Sequence, residues 1–125
     1  MTVNDLIARA LNGLRVIALG DEATADEAAY CLGEYNDMMF AFELDGMALA
    51  HLEATLDDEI DVPDSHLEAL RLSLMERIAP AFGKDVSVGE RSRAETGRMA
   101  LRAYHFSIAT LGSDHPHSSP LPGSS

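Results

Sequence analysis

The side chains able to do chemistry are scattered along this chain and do not fall at the spacings that reactions need. The histidines are His51, His66, His105, His115 and His117. No two of them stand four apart, the spacing that puts two imidazoles on one face of a helix for a metal. His115 and His117 flank Pro116, but two donors in a Pro/Ser-rich stretch fall short of the ligand set of a metal site. Cys31 is the only cysteine, so no internal disulfide and no cysteine zinc site can form. A Gly-rich phosphate loop and a Gly-x-Ser-x-Gly nucleophile turn are both missing. The densest acidic set is Asp57, Asp58, Glu59 and Asp61. Clustered carboxylates suit hard cations, yet the spacing is not that of an EF-hand and no glycine makes the turn. The reading is therefore a solvated acidic surface, either facing passing DNA or meeting a basic partner. Cations gather instead around the last predicted helix, as Lys84, Arg91, Arg93, Arg98 and Arg102. They are too sparse for a nucleic-acid-binding face. They suit contact with the acidic half of a neighbouring copy, and head-to-tail contacts of that kind close into rings when the rotation permits. No catalytic residue, metal or cofactor is expected.

The charge distribution supports that contrast. Residues 1–61 hold 14 acids and two arginines, whereas residues 62–125 hold seven acids and seven bases, so the whole net charge of −12 lies in the first half. Such a surface repels nucleic acid and anionic membranes over about a Debye length. The N-terminus has no basic segment followed by an apolar run, and no apolar stretch nears the ~20 residues that span a bilayer, so neither a signal peptide nor a membrane partner is expected. With 125 residues, 46% of them apolar, the chain fits one folded domain.

The positioning elements are predicted to be helices, near 3–18, 25–45, 66–82 and 88–111. Thr2 and Asp5, Thr24 and Glu27, Ser65 and Glu68, and Ser87 and Glu90 each have capping-box spacing. Gly20, Gly46, Gly83 and Gly112 each follow a periodic segment and are read as helix ends. Apolar stripes follow the helical period, namely Leu6, Ile7, Ala10, Leu11 and Leu14, then Ala28, Leu32, Tyr35, Met39 and Phe42. They continue as Leu67, Leu70, Leu74 and Ile78, then Ala94, Gly97, Leu101, Tyr104 and Ile108. Cys31, beside Ala28 and Tyr35, reads as a buried thiol. Gly13, Gly33 and Gly97 fall inside helices and predict close helix–helix approach, since each costs ~1 kcal/mol relative to alanine. Pro80 should loosen the last turn of the third helix. Residues 47–62 read as an extended loop ending at Pro63, and residues 113–125, with three prolines and five serines, as either a disordered tail, which the composition favours, or an extended arm that orders on a partner. The expected fold is an all-α four-helix bundle over 1–112 with that arm appended.

These elements resemble a known family. The first helix, the turn after it and the second helix ending in Leu32, Met38, Met39, Phe42, Asp45 and Gly46 look like the start of the head-to-tail adaptor proteins of tailed phages. The closest likeness is to the tail accessory factors, or packaged-DNA stabilisation proteins, of short-tailed phages, with Phe42 where an aromatic, often Trp, is usual. Residues 67–87, with the Ile78-Ala79-Pro80 turn, resemble the family's third helix, and a long fourth helix and Pro-rich arm follow. The resemblance implies a structural virion protein at the head–tail interface, assembled in the host cytoplasm as a ring of about twelve copies. The ring would sit beneath the portal protein, extend the DNA channel, retain the packaged genome without binding it specifically, and seat a downstream tail or nozzle protein. On that reading Arg91, Arg93, Arg98 and Arg102, with His115, Pro116, Pro120, Leu121 and Pro122 of the arm, are partner-binding. Asp57, Asp58, Glu59 and Asp61 face the channel. The rival readings are a small acidic regulator that mimics DNA before a basic protein and an enzyme, for instance a wall hydrolase, working through one of the many carboxylates.

Overall fold

A computed structural model describes residues 1–47 and 52–113, with side chains over 1–45 and 52–104. Four helices, α1 (Val3–Gly13), α2 (Ala25–Phe42), α3 (Asp64–Ile78) and α4 (Val88–Ser113), pack as an all-α bundle with no strand among the described residues. The middle of α3 is buried almost all round, through Ala69, Leu70, Leu72, Ser73, Leu74, Met75 and Ile78. It packs against each of the other three helices. The predicted stripe of α1 is wholly buried, and α2 adds Cys31 and Met38 to its own, with Leu32 half-buried. Tyr104 departs from the expected core of α4: it is 40% exposed and packs its ring against His66, centroids 4.7 Å apart. Burial pushes the Cys31 thiol up to about 11, with the carboxylates of Glu27 and Glu34 adding to the effect. The thiol is therefore neutral and unreactive at neutral pH.

Three of the four capping boxes form in full. Thr2 with Asp5, Thr24 with Glu27, and Ser87 with Glu90 exchange both hydrogen bonds at 2.9–3.2 Å. The box expected at Ser65 does not form. Pro63 is the N-cap, in extended geometry, and the chain is already helical at Asp64. Ser65 thus stands inside the first turn, and the Glu68 carboxylate is held by both arms of the Arg71 guanidinium, at 2.8 and 2.6 Å.

The expected ends also need correction. Helix α1 stops at Gly13, not near 18, because Arg15 adopts the left-handed conformation with φ 62°. Val16 N–H then donates to Leu11 C=O and Arg15 N–H to Asn12 C=O, the paired bonds of a Schellman end. The apolar pattern ran on because Val16 folds back onto the core after the helix has ended. Near Gly46, α2 passes directly into a π-type turn over Glu43–Met47, and the residues that follow lie outside the described ones. Gly112 lies inside α4. Gly83 does close its segment with φ 66°, and Pro80 sits in a 3₁₀ turn, Ala79–Phe82, that ends α3 as expected.

The three interior glycines part company. A Cβ at Gly97 would lie 2.7 Å from Ala69 Cβ and 3.1 Å from its Cα, so α3 and α4 touch backbone to backbone there. A Cβ at Gly13 would press on the flexible ends of Arg71 and Met75, whereas one at Gly33 would meet nothing within 4 Å. The expectation of a close helix contact inside the bundle thus fails at Gly33.

Two predictions follow from these caps and contacts. Gly97→Ala forces the helices apart and should destabilise by about 1–2 kcal/mol despite its better helix propensity, whereas Gly33→Ala should stabilise by about 1 kcal/mol; urea unfolding of both variants measures the two signs. The carboxyls of Asp5 and Glu90 lie below their ordinary values of 3.8 and 4.5, held there first by the backbone N–H groups of Thr2 and Ser87. A depressed folded pKa gives stability that is present above the ordinary value and lost as pH falls through the folded one. The urea midpoint should therefore fall below about pH 4, and less steeply in the Asp5→Asn/Glu90→Gln variant.

Candidate functional site

The acidic loop is positioned by hydrogen bonds the sequence did not announce. Asn36, on the inner side of α2 and 7% exposed, accepts from Ala54 N–H at 2.7 Å and donates to Ala54 C=O at 3.1 Å and Leu32 C=O at 3.2 Å. The amide thus imitates a strand partner for one loop residue. Downstream, the loop carbonyls of Asp58 and Leu56 accept from Val3 N–H and Asn4 N–H at 2.9 and 3.0 Å, and Ile60 N–H donates to Met1 C=O at 3.0 Å. An isolated antiparallel bridge pairs Thr2 with Glu59. Leu56, Ile60 and Val62 pack on the core. The described part of the loop expected after α2, from residue 52, is irregular with one turn, and it is anchored at Ala54 and again over residues 56–60.

Its four acids have different tasks. Asp58 accepts from Thr55 N–H at 2.9 Å and closes a turn. Glu59 accepts from the Met1 amine at 3.0 Å. Asp57 and Asp61 are exposed. Beneath them the Tyr35 hydroxyl is pushed up to about 12 by burial and by the Asp58 charge. The loop therefore offers a negative surface of which two members also hold the fold.

The arginines of α4 divide in the same way. Arg98 is half-buried and donates to Glu76 at 2.7 Å and Ser73 at 3.1 Å, which ties α4 to α3. Arg102 donates to Asp45 at 2.8 Å in an exposed pair. Arg91 and Arg93 are exposed. Of the proposed partner-binding residues, His115, Pro116, Pro120, Leu121 and Pro122 lie outside the described residues.

The clefts give little direction to a small ligand. One of about 490 Å³ between the starts of α1 and α3 is lined by three acids, Asp5, Asp64 and Glu68, and two arginines, Arg9 and Arg71, so neither sign of charge dominates strongly. A second, of about 340 Å³, runs between α3 and α4 over Ala69, Leu72, Gly97 and Ala100. Among the described residues no three His, Cys, Asp or Glu side chains gather to hold a metal, and no helix is long and apolar enough to cross a membrane.

Sequence reasoning missed the outer face of α2. Asp26, Tyr30, Gly33, Asp37, Phe40 and Leu44 recur at steps of three and four and are all exposed, Leu44 at 91%. The signal was present as a second period on a helix already assigned one. Comparison with protein-family models, curated proteins and solved structures finds no match to this chain.

The clamp at Asn36 yields a prediction. Asn36→Ala leaves the Ala54 N–H without its acceptor and should cost about 2 kcal/mol. It should also speed amide hydrogen exchange at Ala54, Val3 and Asn4 well beyond that in α4, a pattern read by NMR.

Proposed function

We propose that this chain is a structural adaptor that assembles with copies of itself into a ring beneath a phage portal, extending the DNA channel, helping to retain the packaged genome and seating a downstream tail or nozzle protein. The reading places it at the head–tail interface of the virion, after assembly in the host cytoplasm, without catalysis. The observation that carries it is the separation of charge. The −12 lies in residues 1–61, on α1, α2 and the loop, while exposed cations stand along α4 as Arg91, Arg93 and Arg102. A chain whose excess acid lies in one half and whose exposed arginines gather on one helix is suited to heterologous contacts, which propagate from copy to copy. Asp57 and Asp61 on an inner wall would repel DNA and let it pass. The likeness of the helical punctuation to head-to-tail adaptors supports the same reading.

Native mass spectrometry of the chain mixed with the portal protein of the same genome tests it. A portal ring that gains about a dozen copies is the expected result. Removing residues 114–125 should then lower the occupancy. A portal that gains none overturns the reading and favours the acidic regulator, for which the exposed acids of α2 and the loop would mimic a phosphate backbone.

A further inference from the structure

α2 has two faces. Its inner one is spent on the core. Its outer one presents Tyr30, which also stands edge-on to Phe82 with centroids 5.9 Å apart, and Phe40, each 40% exposed, with Leu44 beyond them, Asp26 before them and Asp37 between. Gly33 lies in the middle of this face. It weakens the helix relative to alanine, yet among the described residues nothing comes near enough to need the missing Cβ. Helix interiors keep such a glycine where another backbone approaches.

A matching flank exists on α4. Val88, Arg91, Glu95, Met99 and Arg102 fall on one stripe at steps of three and four, beside the core positions Ala94 and Leu101. Val88 is 84% and Met99 60% exposed, large values for apolar side chains on a helix already packed along its other side. The spacings of the two stripes agree. Asp26 and Asp37 are eleven residues apart, as are Arg91 and Arg102, so each pair spans about 16 Å along its helix. Tyr30 and Phe40 span about 15 Å, close to Val88 and Met99. In antiparallel register Arg91 faces Asp37, Arg102 faces Asp26, Val88 meets Phe40 and Met99 meets Tyr30. No parallel register brings all four together. Asp37 and Arg91 make no ion pair with other described residues. Arg102 would exchange its exposed partner Asp45 for an intermolecular one, a small change for an exposed pair.

We infer that the outer face of α2 docks antiparallel on the α4 flank of a second copy of this chain. The inference rests on the reading of the chain as a self-assembling adaptor, and adds which faces meet and in which direction. Because each copy carries one face of each kind, the contact is heterologous and propagates into a ring or an open chain. Gly33 is the notch that lets the second helix come close.

Charge reversal and cross-linking test it on the full chain, alone and on the portal ring. Arg91→Glu and Asp37→Arg should each weaken self-association by about tenfold, as read by sedimentation equilibrium, and the double variant should recover most of the loss. Both positions are exposed, and helical circular dichroism reports that each variant folds. Gly33→Ala should weaken association while raising the urea midpoint, a combination that a role inside the monomer would not produce. The Asp37→Cys/Arg91→Cys variant should oxidise to a ladder of dimers, trimers and higher species, with each single cysteine variant stopping at dimers. Rings that form on the portal at unchanged strength in both charge variants, or an oxidised double variant without a ladder, overturn this docking and leave the adaptor reading standing. A ladder from a chain that adds no copies to the portal supports the docking and overturns the portal role. A chain that stays monomeric at every concentration, alone and with portal, overturns the docking.

Discussion

The first turn of α1 must find acceptors for N–H groups that no helix can satisfy from within, and much of the fold is arranged around that need. Thr2 answers for Asp5 through its hydroxyl, and Leu6 bonds Thr2 C=O. Val3 and Asn4 turn to the loop carbonyls of Asp58 and Leu56. The loop can serve only if it is held in place, which Asn36 does from α2, and its apolar residues then close the core over α1. A helix start, a loop and the middle of another helix are thus coupled by a few hydrogen bonds, of which those of Asn36 are part-buried, where an unmade bond costs about 1–3 kcal/mol.

The second constraint is contact between α3 and α4. α3 is buried nearly all round, so every neighbour must fit it closely. At Gly97 the backbones meet without an intervening side chain. At the next residue, Arg98 reaches back to Ser73 and Glu76 and gives the buried Ser73 hydroxyl a donor. A guanidinium in that position fixes the rotation of α4 about its axis. That rotation in turn sets the stripe from Val88 to Arg102 along one flank, and leaves Arg93 on the side of the α3 groove.

Charge is layered over this frame. Some acids and bases are engaged by the fold, as Glu59, Glu76 and Arg98 are. Those left facing water are mostly acidic in the first half of the chain, with Arg91 and Arg93 standing apart on α4. The same residue types therefore serve two ends, and only their partners separate them. An exposed pair such as Arg102 with Asp45 adds little stability, typically about 0–1 kcal/mol, so it leaves both groups available to another surface.

Local chemistry determined what the sequence made legible. Helix class, the inner stripes, the capping boxes at Thr2, Thr24 and Ser87, the left-handed close at Gly83 and the loosened turn at Pro80 all depend on residues within a few positions of one another, where spacing is the physics. Everything that joins distant residues was settled by the tertiary structure. Competing local signals also decided two ends: Ser65 lost its cap because Pro63 started α3 earlier and Arg71, three residues beyond Glu68, took its carboxylate. Arg15 ended α1 in a conformation that its type does not advertise, since the Schellman bonds and the burial of Val16 offset the strain. Gly97 and Gly33 look alike in sequence, yet one lies against Ala69 and the other faces open space. Whether an arginine holds the bundle or faces outward, and whether a stripe on α2 is inner or outer, depends on which helix lies beside it, and spacing along one chain does not contain that information.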